Sequence, residues 1–119
     1  MVIRAVLLEN AEVAKRTNKV FPVVTDSAEL PYILYRRASM AATPQKSGQP
    51  MPDETMMEIL CFTERYSEGV ELAEAVRGAL DCVTAEHNGL RLRSCYLTDS
   101  EEAWQDDAFV QQLVFRIKV

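Results

Sequence analysis

The chain has 119 residues, a length that predicts one domain large enough to bury its own core. Its hydrophobic fraction of 48% and charged fraction of 26% are typical of ordinary globular proteins. Thirteen basic against eighteen acidic side chains give a net charge of −5, which argues against direct nucleic-acid binding, since basic residues supply most of that affinity.

The first predicted element is an amphipathic helix over residues 3–16, because its apolar residues recur at helical spacing. The apolar start lacks a basic leader and a small-residue cleavage site. No apolar run approaches the roughly 20 residues of a membrane helix. We therefore expect a chain that is neither secreted nor inserted in a membrane.

Residues 20–24 predict a short strand, and Pro22 suggests an edge position or a bulge.

Residues 30–64, which we call the arm, are the most unusual segment. Aromatic and branched residues predict one strand from residue 31 to about 42 and another at residues 55–65. Between them, residues 42–53 hold three prolines, one glycine and no apolar period. A hairpin needs only about two to five loop residues, so a connection of about a dozen is functional or disordered. The sequence predicts a long β-arm with a flexible tip at residues 43–54.

The arm carries residue types suited to contact with another protein. Methionines cluster around it, and methionine packs adaptably against irregular partners. Arg36 and Arg37 leave the first strand as exposed charges that could guard an open strand edge. The predicted interface residues are Arg36, Arg37, Met40, Pro44, Lys46, Gln49, Met51 and Pro52.

A second helix is predicted to follow Ser67, which could cap its first turn, and its apolar stripe runs on to Val83. Asn88-Gly89 is a strong turn signal that ends this segment. His87 would then lie at a helix end, where a cation is favoured, without a second ligand nearby. A surface or helix-end histidine is therefore expected in place of a catalytic one.

Other sequence signals of catalysis are also missing. The chain has no glycine-rich phosphate loop and no nucleophile elbow. Its three cysteines share no metal-type spacing, and we expect reduced, packed thiols. We expect no enzymatic activity, no cofactor and no metal site.

Two further strands are predicted at residues 90–97 and 109–119, where apolar and polar residues alternate. Between them lies the acidic segment, residues 99–107, with five acids and no base. We interpret it as a solvated loop, with the alternative that it meets a basic partner or repels DNA phosphate. Trp104 could be an exposed interface anchor or could fold back over the sheet edge. The candidate site residues of the acidic segment are Asp99, Glu101, Glu102, Trp104, Asp106 and Asp107.

The elements in chain order predict an α+β fold. The order α-β-β-β-α-β-β gives a two-layer sandwich, with a mostly antiparallel sheet and two helices on one face. The long β-arm joins the second and third strands. Residues 1–119 form a single domain.

These features, taken in order, resemble the tail completion (tail-to-head joining) proteins of long-tailed bacteriophages and prophages, whose fold is similar to the phage lambda tail terminator. The most specific part is Leu30-Pro31-Tyr32 after a short strand, with Ala-Val-Arg-Gly-Ala-Leu at residues 75–80 at the right distance. The remaining matching segments are residues 3–8, 20–22, 55–62, 67–74 and 110–119.

The resemblance implies an assembly role without catalysis. Such proteins form a ring, often hexameric, at the head-proximal end of the tail tube, where they end tube growth and meet the head connector. The implied partners are further copies of the chain, tail-tube proteins and head-connector proteins, and DNA would pass through the ring without being specifically bound. The implied location is the virion tail, or the bacterial cytoplasm during assembly. The alternative is a small α+β binding or regulatory module that acts as a dimer.

Overall fold

The computed structural model describes residues 2–22, 29–41, 54–82, 85–87, 90–92, 94–105 and 107–118. In these ranges the chain forms three helices and seven strands, which confirms the α+β class but not the predicted count of two helices and five strands. The helices are α1 (Val2–Glu9), α2 (Ala11–Arg16) and α3 (Tyr66–Leu80). The strands are β1 (Val20–Pro22), β2 (Tyr32–Ala41), β3 (Glu54–Thr63), β4 (Ala85–His87), β5 (Leu90–Leu92), β6 (Ser94–Gln105) and β7 (Ala108–Lys118).

The single helix predicted over residues 3–16 is two helices, because Asn10 interrupts it. Asn10 has an extended backbone, and its side-chain oxygen accepts hydrogen bonds from the backbone N–H groups of Glu12 (3.0 Å) and Val13 (3.1 Å). Asparagine is among the preferred N-cap residues, since its side chain satisfies donors that a new helix leaves open. The apolar period continues across the break and hides it in the sequence.

Five strands form one mixed sheet in the order β1-β2-β3-β7-β6. The pairing of β1 with β2 is parallel, and the other three pairings are antiparallel. The two sides of the predicted arm pair directly, from Tyr32 opposite Phe62 to Ala41 opposite Glu54. The arm tip up to residue 53 lies outside the described residues.

Two predictions about the second helix are wrong. α3 begins at Tyr66 with Arg65 as its N-cap residue, so Ser67 lies inside the helix. The helix ends at Leu80, and His87 lies in β4 opposite Leu90 of β5. The backbone turns at Cys82, which has a φ of 60° and donates its N–H to the carbonyl oxygen of Cys95 at 2.7 Å. This turn directs the chain away from the helix axis before the predicted stop.

The prediction that the acidic segment is a loop is also wrong, because most of the segment is a strand. β6 is one strand of 12 residues, and it pairs with β7 from Ser94 opposite Lys118 to Gln105 opposite Ala108. Asp and Glu have low intrinsic β-propensity, but pairing with a buried neighbouring strand, which shifts register between Leu97 and Asp99 and is unbroken from Asp99 to Gln105, overrides that preference. The chain then turns through Asp107, whose φ of 60° suits a short polar residue.

All three helices contribute to one core on a single face of the sheet, which we call the helix-bearing face. The helices bury Ile3, Val13 and Leu72 in this core, and the sheet buries Ile59 and Phe115. The alternation predicted for the last strand is confirmed, since residues 111, 113, 115 and 117 are all buried there. A smaller cluster on the opposite face contains Leu34, Phe62, Ala108 and Val110. No helix among the described residues is both long and apolar enough to cross a membrane.

Candidate functional site

The acidic segment lies along one edge of the sheet, which we call the acidic edge (residues 99–104 of β6). In the described part of the chain, β6 has β7 on one side and no strand on the other. The register places Glu102 and Trp104 on the helix-bearing face, opposite Gln111 and Phe109. The side chains of Asp99 and Glu101, at the alternate positions, lie on the other face.

Glu102 is fixed in place by two neighbours. The side-chain nitrogen of Gln111 donates a hydrogen bond of 2.7 Å to a carboxylate oxygen of Glu102. This hydrogen bond, together with one from the Tyr66 hydroxyl, lowers the pKa of Glu102. The same contact with Glu102, and then the negative charge of that carboxylate, raise the pKa of Tyr66. Glu102 is therefore an oriented carboxylate that stays ionised at neutral pH.

Three aromatic rings stand beside this carboxylate. Trp104 packs edge-on against Phe109 with ring centroids 4.7 Å apart, and Tyr66 packs edge-on against the same ring at 5.9 Å. Trp104 nevertheless keeps 57% of its surface exposed, and Tyr66 keeps 50%. The Trp104 ring therefore lies against the sheet, as one of the two alternatives predicted, and more than half of its surface stays exposed.

The aromatic rings and the carboxylate enclose a shallow groove. Its volume is about 210 Å³, enough for one long side chain and too small for most organic cofactors. The lining residues are Tyr66, Glu102, Ala103, Trp104, Phe109 and Gln111. Tyr66, Phe109 and Gln111 were not predicted as site residues. The register of the β6–β7 hairpin brings Phe109 and Gln111 to Glu102, and that register depends on recognising β6 as a strand. The packing of α3 brings Tyr66 to the same carboxylate.

The first of the predicted interface residues of the arm lie on β2, which β3 and β7 separate from the acidic edge. Arg36 forms an ion pair with Glu58 on the adjacent strand, while its own side chain remains about half exposed. Arg37 is exposed and makes no ion pair with any residue in the described ranges. The backbone of Met40 pairs with Thr55.

The structure therefore separates the two predicted sets of site residues. β3 and β7 lie between the arginines of β2 and the acids of β6. Asp107 is exposed at the turn after β6. The predicted site residues Pro44, Lys46, Gln49, Met51, Pro52 and Asp106 lie outside the described residues.

The chain is similar to known proteins along its full length. Residues 1–119 match the family described as tail completion protein gp17. A chain from the virion of a native gene transfer agent particle has a similar fold, with a TM-score of 0.82 and 19% identity over 99% of this chain and 91% of that chain. A comparison with curated proteins found no match. Because the family match covers every residue, this chain belongs to the tail completion protein gp17 family.

Proposed function

We propose that this chain is a structural subunit of a phage or prophage tail that forms a ring at the head-proximal end. The ring ends growth of the tail tube and joins the tail to the head connector. The observation that carries the proposal is the match of residues 1–119 to the tail completion family. The shared fold with a chain from a gene transfer agent virion supports a place in a phage-like particle. The proposed role needs no catalytic residue and no cofactor.

The paired strands of the arm support a role in contacts between proteins. β2 and β3 are each 10 residues long, and their pairing extends to Ala41 opposite Glu54, the residues that flank the tip. Fixing the backbone of about a dozen tip residues costs roughly 1–2 kcal/mol each, which a neighbouring protein surface could offset. Glu54 of the predicted tip already lies in β3, and we propose that residues 43–53 become ordered against a neighbouring subunit or a tail-tube protein.

Removal of the arm tip tests this proposal. Residues 43–53 are replaced by a short Asn-Gly turn, which leaves β2 and β3 intact. Thermal unfolding by circular dichroism should stay close to that of the full chain. Particles made with the shortened chain should accumulate separate heads and tails, as counted by electron microscopy. Normal joining with the shortened chain would rule out the arm tip as an assembly contact.

The acidic edge has two possible roles in such a particle. A channel lining that keeps DNA from adhering needs negative charge alone. The exposed Trp104 beside an oriented Glu102 favours a contact with a basic protein partner, since tryptophan is enriched at binding hot spots. Replacing Asp99, Glu101 and Glu102 with lysine separates these roles, because it changes both faces of the acidic edge. A channel lining predicts joined particles with slowed DNA ejection, and a partner contact predicts particles that fail to join.

A further inference from the structure

The sheet has two incomplete edges, one on each side. β6 forms the acidic edge. On the other side, β1 is only three residues long and pairs with Ile33, Leu34 and Tyr35 of β2. Residues 36–41 of β2 therefore have no strand beside them on that side, within the part of the chain that the structure describes. We call residues 36–41 the basic edge.

The two edges carry opposite charges. The acidic edge contains Asp99, Glu101 and Glu102, all exposed, and has no lysine or arginine. The basic edge contains Arg36 and Arg37, both exposed, and has no acid. Because β3 and β7 separate these edges, their charges cannot pair within one copy.

The faces of the two edges also match. Arg37 lies opposite Met57, a residue of the main core, so its side chain is on the helix-bearing face. Glu102 and Trp104 are on that same face. Arg36, opposite Glu58, is on the other face, as is Glu101. A sheet continued from one copy to the next would therefore bring Arg37 and Glu102 together on the helix-bearing face, while Arg36 keeps Glu58 as its partner on the other face.

Strand direction allows this continuation. β2 is antiparallel to β3, β3 to β7 and β7 to β6, so β6 runs opposite to β2. The register places Glu102 level with Ile33 and Arg37 level with Leu97, so the two edges meet only if neighbouring copies are shifted by about four residues, roughly 13 Å, along the strands. A ring supplies such a shift when its strands are inclined to the rotation axis, as in a barrel, and the acidic edge of one copy then meets the basic edge of the next as an antiparallel pair. Antiparallel pairing satisfies the open backbone groups of both edges.

Charge disfavours the two symmetric alternatives. A two-fold contact of β6 with β6 would bring the acids of both copies close together, and a contact of β2 with β2 would do the same for the arginines. Like charges directly opposite each other destabilise a strand pair. A head-to-tail contact between different edges avoids this repulsion, and such contacts close into rings when the rotation permits.

We propose that copies of this chain join head to tail, with the acidic edge of one copy paired to the basic edge of the next. On the helix-bearing face, Arg37 of the next copy enters the groove between Glu102 and the exposed ring of Trp104. A guanidinium there gains both a charge-assisted hydrogen bond and a cation–π contact. The proposal rests on the proposed ring and specifies the surfaces that form it.

Charge reversal tests the contact. Arg37→Glu places an acid on both edges, and Glu102→Arg places a base on both, so each variant alone should require about tenfold higher concentration to oligomerise. An equimolar mixture should oligomerise at concentrations close to those of the wild type. The unchanged acidic edge of Arg37→Glu then pairs with the unchanged basic edge of Glu102→Arg, and the two reversed edges pair with each other. Mass photometry and analytical ultracentrifugation measure the oligomers. Particle yield from a strain without the wild-type gene is a second readout, which also applies if the subunit assembles only on a tail.

Two controls and one replacement variant complete the set. Lys15→Glu and Glu74→Arg change the net charge equally at exposed helix positions and should leave assembly unchanged. Glu101→Arg replaces Glu102→Arg if the latter fails to fold, since it leaves the contacts of Gln111 and Tyr66 with Glu102 in place.

The results separate two failures. If both reversed variants assemble and join like the wild type, or if their mixture is no better than either alone, the edge contact is wrong while the ring proposal stands. If particles join normally without any copy of the chain, the proposed function itself is wrong.

Discussion

Gln111 on β7 donates a hydrogen bond of 2.7 Å to Glu102 on β6, and this contact links the acidic edge to a buried strand. Gln111 is itself buried, so its amide has few alternatives to the carboxylate. Burying a polar group without a partner is unfavourable, so the pair acts as a fixed unit. A partner that approaches the acidic edge therefore meets a carboxylate already oriented beside Trp104.

The pKa of Glu102 tests this contact. Because its folded-state pKa is lowered, ionised Glu102 stabilises the fold above its unfolded-state pKa, and the stabilisation is lost as pH falls through the folded-state pKa. Gln111→Leu should raise the Glu102 pKa and make stability less dependent on pH in acid. Carboxyl chemical shifts followed by NMR during acid titration measure this change. Gln112→Leu alters the same strand on the opposite face and should leave the Glu102 pKa in place, and a similar shift in both variants would contradict the pairing.

The break between α1 and α2 predicts a measurable role for Asn10. Asn10→Ala removes the acceptor for two backbone N–H groups and should lower the free energy of unfolding by about 0.5–2 kcal/mol, as other cap removals do. Urea unfolding followed by circular dichroism measures the loss. Asn18→Ala, at an exposed position after α2, is the matched control with little expected change. Equal stability of the two variants would show that the cap does not stabilise α2.

Two glycines of α3 should respond oppositely to alanine. A methyl group at Gly69 would lie 2.9 Å from the hydroxyl oxygen of Thr63, which is buried and donates a hydrogen bond to the carbonyl of Arg65. At Gly78 nothing lies within 4 Å of the added carbon. Gly78→Ala should therefore gain about 0.5–1 kcal/mol from helix propensity. Gly69→Ala should be less stable than Gly78→Ala by about 1–3 kcal/mol because of crowding. Chemical unfolding curves of both variants decide this, and equal gains would contradict the close packing of α3 on β3.

The three thiols should differ in reactivity. Burial raises the pKa of Cys61 to about 12, and burial followed by nearby negative charge raises the pKa of Cys95 to about 12. Cys82 is exposed, so an alkylating reagent at neutral pH should label it rapidly. Cys61 and Cys95 are buried and should be labelled only after the protein unfolds. Mass spectrometry over time measures the labelled sites. Cys82→Ser should abolish the rapid phase, and rapid labelling of Cys61 would show that the core opens readily.

The sequence predicted the fold best where one pattern dominates. The alternation at residues 109–118 has an apolar set on one face, and the structure confirms that strand. The pattern failed at Asn10, because a capping side chain can interrupt a helix without breaking its apolar period. It failed again at residues 99–105, because acids disfavour strands locally and only pairing with β7 reveals the strand.

The candidate site was harder to predict than the fold. Arg37 and Glu102 could be named from their charges, but the faces on which they lie follow from strand register. Tyr66 begins a helix, far along the chain from Glu102, and no local pattern links them. Register and helix packing are set by the whole fold, so the groove could not be read from the sequence alone.

The most direct test of the proposed role is to count joined particles in a producing strain that lacks this gene. We expect electron microscopy to show filled heads separated from tails, and tails of irregular length. A plasmid copy of the wild-type chain should restore joining. Particles with normal tails attached to heads in the absence of the chain would contradict the tail completion role.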